Sequence, residues 1–78
     1  MNQKLREAKS ERFRKWCHTE GMQVVSVRTN RRGLIRAFLA IDSRGGNIIE
    51  LNPHTHRVNV VTTKNDYEQY VTSFDYKG

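Results

Sequence analysis

Two histidines, His54 and His56, directly follow Pro53 and are the residues best suited to acid–base chemistry. In an extended segment, side chains at i and i+2 point to the same side, so both imidazoles would share one surface. Metal-independent cleavage of RNA needs a base, an acid and a cation for the phosphate, and Arg57 or Arg44 would supply the cation. The pair predicts a ribonuclease as the third function to consider; the competing interpretation is a polar turn that leads into a strand surface.

Metal and thiol chemistry have less support. No further His or Cys lies close enough in sequence to complete a tetrahedral site with His54 and His56. Cys17 is the only cysteine, so no disulfide can form within the chain. Beside Trp16, Cys17 is expected to be a buried helix residue and not a nucleophile. The sequence therefore predicts no metal, no cofactor and no enzyme.

The positive charge is concentrated in the first half of the chain. Residues 1–44 carry eleven Lys and Arg against four Asp and Glu, whereas residues 45–78 carry three against four. A concentrated positive field attracts polyanions and accelerates encounter with them. The asymmetry predicts a nucleic-acid partner, either DNA or RNA.

Arginines around the first predicted hairpin make this prediction more specific. Arg31 and Arg32 lie at its tip, and Arg28 and Arg36 flank the tip, so a two-stranded basic ribbon could enter a groove. The planar guanidinium suits phosphate oxygens and guanine edges. The predicted nucleic-acid-binding residues are Lys9, Arg12, Lys15, Arg28, Arg31, Arg32, Arg36 and Arg44.

Two other functions fit the same charge. The cations could serve solubility, forming ordinary i, i+4 pairs with Glu7 and Glu11. A small accessory or inhibitor protein, of the type that viruses and mobile elements encode, would bind a larger host protein with an acidic surface. Such a protein would insert Leu5, Phe13 and Trp16 into a groove of its partner. Edge strands could also pair with a partner or with a second copy in a homodimer.

These residues have to be positioned by elements that the sequence also predicts. Residues 3–18 contain good helix formers with no Pro or Gly, which predicts a helix, and Gly21 supplies a C-terminal stop. Cations interrupt the apolar face of this helix. Phe13 and Trp16 are therefore expected to be its firmly docked part, with the first turns projecting freely.

After Gly21 the apolar period changes from helical to alternating, which predicts strands. Asn, Gly and Pro between the apolar runs predict tight turns. The predicted strands are residues 22–29, 34–42, 47–51 and 56–63. The more apolar face of the second strand consists of Ile35, Ala37, Leu39 and Ile41. Phe38 lies on its other face, where two interpretations are open: it stacks on an unpaired base beside Arg36, or the N-terminal helix covers it. The second is favoured because small sheets usually cover both apolar faces.

The end of the chain predicts a second helix over residues 64–76. Its apolar positions recur at i, i+3, i+4 and i+7 and are Tyr67, Tyr70, Val71 and Phe74. Thr63 and Asp66 resemble a capping box at its start. The predicted fold class is α+β, with an N-terminal helix, a four-stranded antiparallel meander and a C-terminal helix (α-β-β-β-β-α).

Length and composition predict one small basic domain over residues 1–78, divided into a basic helix (1–20), an antiparallel sheet (22–63) and the C-terminal helix (64–76). The start of the chain has no apolar leader, and no apolar stretch is long enough to span a membrane, which predicts a cytoplasmic protein. The function predicted first is non-catalytic: a small regulatory protein that binds nucleic acid through its N-terminal helix and Arg-rich first hairpin.

Overall fold

The computed structural model describes the backbone of residues 3–78 and the side chains of residues 7–78. One helix precedes five strands: α1 (Gln3–Thr19), β1 (Val24–Thr29), β2 (Ile35–Ser43), β3 (Gly46–Asn52), β4 (Arg57–Lys64) and β5 (Tyr67–Asp75). Each strand pairs antiparallel with the next, so the sheet order follows the chain. The α+β class with an antiparallel sheet is confirmed, and the predicted arrangement of four strands between two helices is wrong.

The helix α1 ends at Thr19, two residues before the glycine that the sequence predicted as its stop. Gly21 has a φ of 81°, its N–H donates to the His18 carbonyl, and the Met22 N–H donates to the Cys17 carbonyl, both at 3.0 Å. These two bonds form a Schellman motif, which needs a residue in the left-handed region. No helix within the described residues has the length and apolar character to cross a membrane.

The segment predicted as a C-terminal helix is strand β5, paired with β4 from Lys64↔Tyr67 to Arg57↔Asp75. Asn65 and Asp66 have φ values of 52° and 67°, and two central residues with positive φ make the type I′ turn of a two-residue hairpin. Aromatic and β-branched residues dominate β5, and these favour a strand. The apolar residues that have helical spacing do not share one face of the strand. The register shifts between Val60 and Val61 of β4, so Tyr70 lies beside Glu50 on one face and Phe74 lies against Trp16 on the other.

The core lies between α1 and one face of the sheet. Phe13 and Cys17 of α1 are fully buried, and Trp16 stacks on Phe13 with ring centroids 5.7 Å apart. The buried sheet residues on this side are Ile35, Ala37, Ile49, Leu51, Val58 and Val60. Phe74 and Tyr76, from the segment predicted as a helix, pack against Trp16. The predicted docking of α1 through its second half is confirmed.

The opposite face of the sheet has no helix over it among the described residues. Phe38 pairs with Ser26 and Ile48 on this face and is half-buried. The prediction that the N-terminal helix covers Phe38 is therefore wrong, because α1 packs on the other side. Ile48 and Val61 are nevertheless buried here, at 3% and 0% exposure.

Candidate nucleic-acid interface

Three segments that are distant in sequence meet at one end of the protein. In an antiparallel meander, alternate turns lie at the same end, which puts the β1–β2 turn beside the β3–β4 turn. The helix α1 joins β1 through a short loop at the opposite end, so the N-terminal half of α1 returns to these two turns. We call this end, defined by Lys9, Arg12, Arg31, Arg32 and the β3–β4 turn, the basic end.

The two turns are held by asparagine side chains. Asn30 Oδ1 accepts from the Arg32 and Leu34 N–H groups at 2.9 and 3.0 Å. Asn52 Oδ1 accepts from the His54 and Thr55 N–H groups at 2.9 and 3.3 Å. Such side-chain bonds replace the backbone partners that a turn lacks. The backbone that carries the arginines and the histidines is therefore fixed locally.

A depression of about 170 Å³ opens between these segments, and we call it the tip pocket. Ile35, which is 2% exposed, lines it together with Gly33 and Pro53, and we call these three residues its base. The three cations that line it are exposed, and we call them its rim: Lys9, Arg31 and Arg32. The imidazole of His54 also lines it, with Nε2 only 3.8 Å from the point that a Cβ on Gly33 would occupy.

A smaller depression of about 110 Å³, the helix-side pocket, adjoins the first. Its lining includes Arg12, His56 and Tyr76, and it shares Lys9 and Pro53 with the tip pocket. The two histidines therefore line different depressions. A general acid and a general base acting on one phosphate would have to reach the same one, so this placement gives the ribonuclease hypothesis no support.

The cations of the basic end form no ion pair with the part of the chain whose side chains the structure describes. No carboxylate of residues 7–78 lies within ion-pair distance of the side chains that the two pockets place here: Lys9, Arg12, Arg31 and Arg32. All four are exposed. Four unneutralised cations from three segments make a local positive field that a single element could not provide.

Two of the predicted binding residues lie outside both pockets without a carboxylate partner in the described part of the chain. Lys15 is exposed on α1, two turns beyond Lys9 towards the helix C-terminus. Arg28 is exposed on β1, opposite Arg36 on the sheet face that α1 does not cover. They extend the positive surface but do not line the basic end.

Arg36 is engaged with two carboxylates on that same uncovered face. Its Nε donates to Glu50 at 2.8 Å, and its terminal nitrogens donate to both Glu68 oxygens at 2.8 and 2.7 Å. The bonds to Glu68 raise the pKa of the Arg36 guanidinium, and they lower the pKa of the Glu68 carboxyl. Arg36 is thus occupied in holding β2, β3 and β5 together.

Glu50 is the single buried charged residue in the described part of the chain, with 2% exposure. Besides Arg36, it accepts from the Tyr70 hydroxyl at 3.0 and 3.2 Å and from the Asn59 amide at 3.3 Å. Burial, followed by the bond to Glu50, raises the pKa of the Tyr70 hydroxyl. All lone pairs of a buried carboxylate need such partners, which makes this cluster structural.

Arg44 is engaged at the opposite end of the molecule. Its guanidinium donates to Glu20 at 2.7 Å and lies over the Phe74 ring, 5.1 Å from the centroid. It belongs to the β2–β3 turn, far in topology from Arg31 and Arg32. We therefore leave Arg36 and Arg44 out of the candidate interface.

The residues predicted to insert into a protein partner are differently placed. Phe13 is fully buried in the core and Trp16 is half-buried against Phe74 and Tyr76. The side chain of Leu5 lies outside the described residues. Since Phe13 and Trp16 hold α1 to the sheet, they are not available as docking anchors.

Metal and thiol sites receive no support from the described residues. Among them, no group of three or more His, Cys, Asp or Glu side chains could hold a metal ion. Burial raises the pKa of the Cys17 thiol to about 12, so the thiolate is scarce at neutral pH. The predicted burial of Cys17 is confirmed.

Sequence reasoning missed Pro53 and Tyr76 as lining residues of the pockets. Pro53 could have been found from the alternation of turns in a meander, which puts the first and third turns at one end. Tyr76 could not, because the segment before it was assigned to a helix.

Comparisons with protein-family models, curated proteins and solved structures found no match to this chain.

Proposed function

We propose that the protein is a small regulatory protein that binds nucleic acid at its basic end without catalysing a reaction on it. The observation that supports this most is the convergence of four exposed cations without carboxylate partners around two adjoining pockets. Phosphates of a nucleic-acid backbone are the anions that such a cluster binds, each with release of condensed counterions. The buried, unreactive Cys17 is consistent with a reducing compartment, and we place the protein in the cytoplasm.

The cations of the proposed interface differ from the other arginines in their partners. Arg36, Arg44 and Arg57 each donate to a carboxylate, whereas Arg31 and Arg32 of the β1–β2 turn form no ion pair with residues 7–78. An arginine already paired with a carboxylate would have to give up that bond before binding phosphate. Affinity is therefore expected to depend on the unpaired set.

Fluorescence anisotropy with short labelled DNA and RNA strands over roughly 50–300 mM salt tests this proposal. Replacing Arg31 and Arg32 together by Ala should weaken binding and reduce the slope of log K against log salt by about 1.4–1.8, since each phosphate contact contributes about 0.7–0.9. The matched control is Lys15→Ala with Lys64→Ala, which also removes two exposed charges but lines neither pocket. Equal losses in the two double variants, or no binding by the unaltered protein near physiological salt, would refute a localised interface.

A further inference from the structure

The tip pocket has a composition that phosphate binding alone does not require. Its base is apolar, formed by Ile35, Pro53 and the backbone of Gly33, while its cations lie at the rim. A site for phosphate only would need charged and N–H groups throughout. An apolar base beneath a cationic rim instead fits a ligand with a flat, weakly polar ring attached to an anion.

The volume of the pocket fits one ring. It measures about 170 Å³, and a cavity of about 150 Å³ in a protein interior is large enough to bind benzene. The imidazole of His54 lines the pocket, with Nε2 3.8 Å from the point that a Cβ on Gly33 would occupy, and Pro53 lines it as well. Imidazole and guanidinium planes are surfaces on which unpaired bases stack.

The rim is placed for the phosphates next to that ring. Arg31 and Arg32 lie at the β1–β2 side, and Lys9 lies between the tip pocket and the helix-side pocket because it lines both. A base in the tip pocket would thus have cations from two segments, α1 and the β1–β2 turn, to contact its sugar-phosphate backbone. Neighbouring phosphates along a strand could be contacted simultaneously.

We propose that the tip pocket binds one unpaired nucleobase, so that the ligand of this protein is single-stranded nucleic acid. This rests on the proposed function, because the same cations bind the phosphates. In a duplex, the base would first have to leave its stack, which opposes binding. The protein therefore discriminates single strands from duplexes through the pocket and binds the backbone through the rim.

The experiment compares three probes that carry equal numbers of phosphates: oligo-dT, a polymer of abasic sites, and a duplex. Oligo-dT should bind roughly 5- to 150-fold more tightly than the abasic polymer, the range that stacking of one base provides. His54→Ala should remove most of this difference, so that the ratio of the affinities for oligo-dT and the abasic polymer falls towards one. Since His54 is exposed, the variant is expected to fold, and a thermal melt verifies this.

The matched control is His18→Ala, which removes an exposed histidine from the last turn of α1, away from both pockets. It should bind all three probes as the unaltered protein does. Equal affinity for oligo-dT and the abasic polymer, or equal affinity for oligo-dT and the duplex, would overturn the base pocket but leave the phosphate interface intact. Absence of binding to all three probes would refute the proposed function itself. As a second readout, addition of oligo-dT should shift the imidazole NMR signals of His54 and not those of His18.

Discussion

The strongest test of the structural reasoning is the Arg36–Glu50 pair on the uncovered face of the sheet. Replacing Arg36 by Met leaves the Glu50 carboxylate, 2% exposed, with only the Tyr70 hydroxyl and the Asn59 amide as partners. Removing one partner of a buried ion pair costs about 3–5 kcal/mol. Glu68 also loses its partner, but it is 42% exposed, so solvent screens most of that effect.

The sign of a second substitution provides the sharper result. In the unaltered protein, Glu50→Gln weakens a charge-assisted bond and should cost about 1–3 kcal/mol. In the Arg36→Met background, the same change removes an unpaired buried charge and should raise stability. A domain of this size has only about 4–12 kcal/mol of stability. The loss in Arg36→Met is therefore a large part of the total, and adding Glu50→Gln should restore some of it.

Urea unfolding followed by the fluorescence of Trp16, the only tryptophan, measures these free energies. With a slope of about 1–3 kcal/mol per molar urea, a loss of 3–5 kcal/mol lowers the midpoint by at least about 1 M. The reasoning would be refuted if Arg36→Met cost less than about 1 kcal/mol and Glu50→Gln were destabilising to the same extent in both backgrounds. Because Arg36 is already paired, Arg36→Met should also weaken nucleic-acid binding no more than Lys64→Ala does, provided that the variant is folded.

Three further results are expected. Gly46→Ala should lower the melting temperature more than Gly21→Ala. A Cβ on Gly46 would come within 2.5 Å of the Val61 carbonyl oxygen, so strand backbone has to move, whereas one on Gly21 meets nothing within 4 Å and costs only the strain of Ala at a φ of 81°; similar losses in differential scanning calorimetry would contradict the packing described. Cys17, with its pKa raised to about 12 by burial, should react with a disulfide reagent at neutral pH only as fast as the protein opens, and rapid labelling of the folded protein would disprove its burial. Because Arg36 lowers the pKa of Glu68, that carboxyl contributes stability above its ordinary value of 4.5, and the contribution is lost as the pH falls through the lowered pKa. Urea midpoints of Glu68→Gln should therefore depend less on pH below about 4.5 than those of the unaltered protein, and parallel curves would exclude the linkage.

The missed fifth strand shows where local pattern becomes ambiguous. Tyr67, Tyr70, Val71 and Phe74 have helical spacing, but in the strand they do not form one stripe. Tyr70 bonds Glu50 on the uncovered face, and Phe74 packs against Trp16 on the other. Pairing with β4 favours the strand over the helix, because the edge of β4 forms a ladder of hydrogen bonds with the following segment. The Asn65–Asp66 turn carried a local signal for this hairpin, since both residue types tolerate positive φ.

The histidines illustrate a second limit. Their spacing of two residues predicted a shared surface, but His56 has a φ of 56°, which breaks the extended geometry between them. The imidazoles consequently line different pockets. A turn that reverses the chain within these residues cannot be distinguished from a strand start by spacing alone.

By itself, the sequence determined the N-terminal helix with its glycine stop, the first four strands and the burial of Phe13 and Cys17. These features depend on periodicity and on residues adjacent in the chain, which are visible without a fold. Only the tertiary structure decided which cations are neutralised. Strand pairing brings Arg36 to Glu68, 32 positions away, and the packing of α1 on the sheet brings Lys9 to the first and third turns. No local pattern encodes either contact. The charge of each residue is local information, but whether that charge is available to a ligand depends on which carboxylates the register of the sheet brings beside it.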